Sequence, residues 1–173
     1  MSAPSIVGAV GILHGWRFCP RCAAPLSAAS DHLRCDACGS DYWANSVPGV
    51  HALIERDGEV LLGRRKYEPG AGCWGLPGGF LEEGEEALDG LRREVREETG
   101  LDVAPTGFFG TWVQPHGERT VLCLIWRAAV VGGAEAAADD VVELGWFQPR
   151  ALPEDVGPSA FAEALSAWRH EHA

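Results

Sequence analysis

The chain has 173 residues, of which 46% are hydrophobic and 23% charged, and a formal net charge of −11; this is the profile of a globular protein with one main domain and a small appendage. No run of about 18 apolar residues is present, which excludes a membrane-spanning helix, and the acidic balance is poorly suited to tracking a nucleic-acid backbone or an anionic lipid surface. A small anionic substrate would have to be admitted locally, by arginines and bound divalent metal.

Residues 1–17 form an N-terminal segment that opens with the apolar MSAPSIVGAVGIL. It lacks a basic leading region, so a signal peptide is not expected and a cytoplasmic location is. Next come Cys19 and Cys22, twelve intervening residues, then Cys35 and Cys38. These are two C-x2-C pairs, each able to turn two thiolates toward one tetrahedral ion. Zinc is the natural occupant; a disulfide pair or redox cysteines are the alternatives. Residues 18–43 therefore read as a zinc ribbon, held by its metal because it is too small for a core of its own. With four cysteine ligands it has no open position for chemistry, so its role is structural. Of the other two cysteines, Cys123 sits in an apolar run and reads as core, and Cys73 lies in a loop.

Residues 44–173 are expected to form the main domain. Strands are predicted at 50–55 and 59–65 around an Asp57-Gly58 hairpin turn. Residues 66–72, with a proline and two glycines, read as a loop able to cover a site. Trp74 and Leu76 belong to a short core segment, and Pro77-Gly78-Gly79 makes a sharp turn where backbone approaches a ligand closely.

The stretch 79–101, GFLEEGEEALDGLRREVREETGL, organises the chain. Its second half is predicted to be a helix ended by Gly100. Leu88, Leu91 and Val95 mark one side, while Glu94, Glu97 and Glu98 fall at i, i+3 and i+4 on another. Adjacent like charges cost a helix a few tenths of a kcal/mol per pair, so a cation is expected to neutralise them. Hard oxygen ligands point to Mg²⁺ or Mn²⁺.

Further strands are predicted at 107–113, 120–130 and 141–147, with connections at 114–118 and 132–140. The apolar run 121–126 suggests burial on both faces. Residues 148–158 read as a linking turn and 158–170 as a helix carrying Phe161, Leu165 and Trp168 inward. Among seven tryptophans, Trp112 or Trp43 is a candidate to stack on a nucleotide base, with a core role as the alternative for each. Glu118 and Glu143 are candidates for a general base beyond the helix. His51, His116, His170 and His172 read as core or surface residues.

Gly79, Glu85 and the run Arg93-Glu94-Val95-Arg96-Glu97-Glu98-Thr99-Gly100-Leu101 match the signature of the Nudix hydrolases at every fixed position, and the preceding GCWGLPGGF resembles that family's entry into its motif. The resemblance implies an α/β/α sandwich with a mixed sheet. It also implies metal-dependent hydrolysis of the diphosphate in a nucleoside diphosphate linked to another moiety. Glu94, Glu97 and Glu98 correspond to the metal-binding glutamates of the family, and Gly79 to a residue whose carbonyl binds metal in several relatives. Glu85 and Arg93 either orient the loop and helix or form a purely structural salt bridge.

A ribbon ahead of such a domain is similar to the NADH pyrophosphatases and to short ribbon-bearing relatives described as ADP-ribose pyrophosphatases. Of the segment that the former carry after the motif, this chain shares only Gln114-Pro115, which favours ADP-ribose or a similar nucleotide sugar. The alternatives are NAD(H) hydrolysis or NAD-cap removal from RNA, and, from another class, a nucleotide sensor or nucleic-acid-binding module without catalysis. The resemblance also implies a homodimer, with the apolar N-terminal segment contributing to the interface.

Overall fold

The computed structural model describes residues 12–172 and divides them into two compact units. One comprises residues 12–46 with Pro115–Thr120, the other Val47–Gln114 with the residues from Val121 onward. Of the N-terminal segment 1–17, expected to contribute to a dimer interface, residues 1–11 lie outside the described residues.

The first unit holds an antiparallel sheet of two-residue strands, β1 (Ser27–Ala28), β2 (Leu33–Arg34) and β3 (Asp41–Tyr42), in the order β1-β2-β3. Its buried apolar side chains are few, with Leu13 and Leu33 beside Cys19 and Cys35. A core this small is of the kind that small units supplement with a metal or other cross-link.

In the second unit the chain runs β4 (Val47–Arg56), β5 (Glu59–Arg65), β6 (Trp74–Gly75), β7 (Gly78–Phe80), α1 (Ala87–Thr99), β8 (Leu101–His116), β9 (Arg119–Gly133), β10 (Val141–Phe147) and, after a 3-10 turn at Pro149–Ala151, α2 (Ser159–Glu171). The tip of the β8–β9 hairpin belongs to the first unit. The strands form one sheet in the order β10-β5-β4-β9-β8, with β6 on β5 and β7 on β4. β4 pairs parallel with β9 and antiparallel with β5 and β7, so the sheet is mixed.

Alternate residues of the central strands face opposite sides of the sheet, and this produces two cores. Leu53, Leu62 and Ile125 pack with Phe161, Leu165 and Trp168 of α2. Ile54 and Leu61, one position along from Leu53 and Leu62, pack with Leu91 and Val95 of α1. A helix on each face makes the expected α/β/α sandwich. Among the described residues no helix is long and apolar enough to cross a membrane.

Three readings are corrected. β8 begins at Leu101, well before the predicted 107, because Gly100 adopts the left-handed φ of 70° and turns the chain straight from helix to strand. Pro105 and Gly107 had masked the alternation of buried Leu101 and Val103. The run 121–126 is not uniformly buried: Val121, Cys123 and Ile125 are enclosed on the α2 side, while Leu124 and Trp126 are only partly covered on the α1 side. Leu88, placed on the inward stripe of α1, is 37% exposed, and the stripe continues instead through Leu91, Val95 and the buried Glu98.

The outer helix α2 is fastened at its end. Trp168 is wholly buried and donates from Nε1 to Glu55 Oε1 at 2.7 Å, while Arg127 donates to the other Glu55 oxygen at 2.8 Å. Trp168→Ala is expected to cost about 3–5 kcal/mol through lost burial and the cavity left behind. Trp168→Phe should cost roughly 1–3 kcal/mol, the loss of a hydrogen bond to a charged partner. Urea unfolding of the two variants measures both.

Candidate active site

The acidic half of the site is built around one arginine. Arg93, in the second turn of α1, donates from Nε and Nη2 to the two oxygens of Glu85 at 2.8 and 2.9 Å. It also reaches Glu94 at 2.8 Å, Glu97 at 3.0 Å and the Phe80 carbonyl at 3.2 Å. This bidentate fork, which a lysine cannot make, holds the Glu85 carboxyl down at about 2. Glu85 in turn accepts from the Glu82 amide at 3.0 Å and shapes the loop into the helix. Gly90 makes this possible: a β-carbon there would collide with Leu81 and the Glu85 carboxylate.

Glu94 and Glu98 point from α1 toward the short strand β7. A β-carbon on Gly79 would land on the Glu94 carboxylate, so only glycine lets strand and carboxylate approach this closely. Glu98, 5% exposed, accepts from the Gly78 amide at 2.7 Å. Burial, a hydrogen bond with Asp140 and the nearby charges of Asp140 and Glu94 push its carboxyl up to about 9. Burial likewise raises Glu94, against the opposing pull of Arg93. Glu97 lies at the exposed rim and is tied to Arg93.

Asp140 is the residue that sequence reasoning missed. The segment before β10 crosses the end of α1, with the Ala138 amide on the Glu98 carbonyl at 3.0 Å and the Ala136 amide on the Thr99 carbonyl at 2.9 Å, and this brings Asp140 to Glu98. Its only local signal is a pair of acids directly before an apolar strand. Two carboxylates in contact inside a partly buried cleft are tolerated when they share a proton or a cation. A donor set of hard carboxylate oxygens has the chemistry that suits a divalent cation such as Mg²⁺ or Mn²⁺.

The other candidates lie elsewhere. Trp112 packs into the α2-side core, its ring 5.6 Å from Phe109. Glu118 is exposed at the β8–β9 turn, within the first unit. Glu143 is exposed on β10 and ion-paired with Arg64 at 3.1 Å. Trp43, 49% exposed, stacks on His32 at 5.0 Å within the first unit. His51 is buried against Phe161, and burial with the charge of Arg65 holds it down at about 3, neutral.

In the first unit the sulfurs of Cys19, Cys22, Cys35 and Cys38 all lie within 4.8 Å of one another. Cys19 and Cys38 are 3.7 Å apart and Cys22 and Cys35 3.5 Å. A tetrahedron with metal–sulfur bonds of about 2.3 Å has edges of about 3.8 Å, so the cluster has the dimensions of a four-thiolate site. The Tyr42 hydroxyl, 3.1 Å from Cys19, holds that thiol down at about 6 and favours the thiolate a metal needs.

The fold is an α/β/α sandwich in which Glu94 and the buried Glu98 of α1 face the glycines of β7, with Asp140 beside Glu98. The NUDIX domain description matches residues 45–166, and the chain belongs to the Nudix family. It is 36% identical over 107 residues to the ADP-ribose pyrophosphatase of Methanocaldococcus jannaschii, across 61% of this chain and 63% of that protein. It is 32% identical over 157 residues to the NAD-capped RNA hydrolase NudC of Chromobacterium violaceum, across 88% of this chain and 57% of that protein. The chain thus spans little more than half the length of these curated relatives. A Nudix hydrolase structure from Nitrosomonas europaea shares the fold with a TM-score of 0.77 at 23% identity, over 90% of this chain and 92% of that one.

The raised Glu98 carboxyl has a pH signature. The native state holds its proton more tightly than the unfolded chain, whose carboxyl titrates near 4.5. Its contribution to metal-free stability is full below that pH and is lost as pH rises toward 9. Glu98→Gln is therefore expected to be more stable than wild type without metal, by roughly 2 kcal/mol or more at pH 9 and by little at pH 5. It is also expected to lose the stabilisation that Mg²⁺ gives wild type. Thermal melts across pH, with and without Mg²⁺, measure both.

Proposed function

We propose that the chain hydrolyses the diphosphate of a nucleoside diphosphate linked to another moiety, with ADP-ribose or a similar nucleotide sugar as the favoured substrate. The observation that carries this reading is the gathering of Glu94, Glu98 and Asp140 around Gly78-Gly79, with Glu97 at the rim and Arg93 behind. Glu94, Glu97 and Glu98, with the Gly79 carbonyl, would hold Mg²⁺ or Mn²⁺. Such an ion supplies neutralisation of phosphate charge and a lowered pKa for the attacking water.

The chain's own groups do the rest. Arg93 and Glu85 fix the rotamers of the helix carboxylates. Gly78 offers its amide to Glu98 and keeps that carboxylate turned inward. Asp140, beside Glu98, would accept the proton of the attacking water. Water adds to one phosphorus, the bridging phosphorus–oxygen bond breaks, and ADP-ribose yields AMP and ribose 5-phosphate.

A second reading, NAD(H) or the NAD-capped 5′ end of RNA, is favoured by one observation: the likeness to the NAD-capped RNA hydrolase covers 88% of the chain and so extends into the four-cysteine unit. An acidic protein can act on a capped RNA if it holds chiefly the terminal diphosphate. The four-cysteine unit we read as a structural zinc site, and the protein as a homodimer. A sensor without catalysis needs no such gathering of carboxylates.

With Mg²⁺ or Mn²⁺, chromatography is expected to show AMP released from ADP-ribose faster than from NADH, NAD or nucleoside triphosphates, and no release in EDTA. Glu97→Gln or Glu98→Gln should lower turnover by roughly two to four orders of magnitude in a folded protein; near-normal rates in both would refute the assignment. Elemental analysis should return about one zinc per chain, and light scattering the mass of a dimer.

A further inference from the structure

Beside the carboxylates lies a cleft lined by Arg65, Leu76, Pro77, Glu98, Asp140 and Val141. Its lining contains two acids and a single cation, Arg65, at the end of β5. Other partly buried arginines pair with acids, as at Arg93–Glu85 and Arg127–Glu55. Arg65 is different. Among the described residues it has no ion-pair partner, although Glu98 and Asp140 line the same cleft.

What holds Arg65 is backbone. Its Nε donates to the Pro69 carbonyl at 2.9 Å. Its own amide and carbonyl are engaged by the Cys73 carbonyl and the Gly72 amide at 2.9 and 2.8 Å, which closes residues 66–72 into a compact loop. The same loop touches the segment that carries Asp140: the Lys66 amide donates to the Asp140 carbonyl at 2.7 Å, and Lys66 Nζ to the Asp139 carbonyl at 3.2 Å. One loop therefore sets both the cation and the outer carboxylate of the cleft.

Using only Nε for the loop leaves both terminal nitrogens of the guanidinium unspent. A planar pair of donors, fixed in orientation and close to carboxylates that hold a divalent ion, matches two oxygens of a phosphate group. We propose that Arg65 is a substrate-binding residue that grips one phosphate of the diphosphate while the carboxylate-held metal takes the other. The inference rests on the reading of the chain as a diphosphate hydrolase and adds to it the residue that distinguishes a diphosphate from the bare metal site. The loop 66–72, expected from sequence to cover a site, acts here as the mount of that residue.

The test separates phosphate binding from metal binding. Wild type, Arg65→Ala and Arg65→Lys are titrated by calorimetry with α,β-methylene-ADP, a diphosphate that resists hydrolysis, in the presence of Mg²⁺. The same proteins are titrated with Mn²⁺ alone, followed by electron paramagnetic resonance, and melted. Arg65→Ala is expected to weaken the diphosphate by about 10- to 100-fold, with Arg65→Lys in between because it keeps the charge but not the fork. Mn²⁺ affinity should stay within about twofold of wild type, since removing a cation cannot remove a metal ligand. With ADP-ribose as substrate the loss should fall mainly on KM.

Wild type that hydrolyses ADP-ribose, with Arg65→Ala binding the analogue as tightly as wild type, overturns the role of Arg65 and leaves the enzyme reading intact. Loss of Mn²⁺ affinity in proportion to loss of the analogue in both variants overturns it too, because it would make Arg65 a support of the metal site. Wild type that binds Mn²⁺ but neither binds nor cleaves any diphosphate overturns both readings.

Discussion

The structure depends on one electrostatic constraint: several carboxylates have to be held together at the end of a helix before any ion is there to neutralise them. Arg93 meets it. Its bidentate pair with Glu85 fixes the guanidinium from the side of the entry loop, and its remaining donors reach Glu94 and Glu97. Without such a counterion, like charges on adjacent turns would fray the helix or turn outward into water. Gly90 and Gly79 follow from the same constraint, since one lets Glu85 lie across the helix and the other lets β7 come up against Glu94.

Glu98 shows what the arrangement costs. A carboxyl buried beside Asp140 is disfavoured in its charged form, and folding alone gains nothing from placing it there. The sandwich tolerates it because two fully enclosed cores, one with each helix, supply the burial. The Gly78 amide recovers part of the lost hydration through a hydrogen bond to the carboxylate. Strain of this kind, concentrated at one helix end and offset by packing elsewhere, is the usual mark of a site kept for chemistry.

The four-cysteine unit solves a different problem by different means. Its strands are two residues long and its apolar core consists of a few side chains. A tetrahedral cluster of sulfurs, with Tyr42 directed at Cys19, replaces the hydrophobic core as the organising element. A site of four thiolates would leave no open position for a substrate oxygen, in contrast to the carboxylates of the second unit.

The parts of this protein that were legible in the amino-acid sequence are those governed by short-range geometry. Helical spacing puts Glu94, Glu97 and Glu98 on neighbouring turns, C-x2-C spacing pairs the cysteines, and Asp57-Gly58 closes the β4–β5 hairpin, with both residues at positive φ. Each is a matter of a few residues and a fixed backbone repeat. Only the tertiary structure decided the rest. Asp140 reaches Glu98 because the segment before β10 is laid across the end of α1, and Arg65 enters the cleft because β10 pairs with β5, the register placing Val141 beside it. Trp112 went to the α2-side core, and Glu143 to an ion pair with Arg64, for the same reason. Which distant strands become neighbours, and therefore which side chains share a cleft, depends on pairing between segments far apart in the chain, and no local periodicity carries that information.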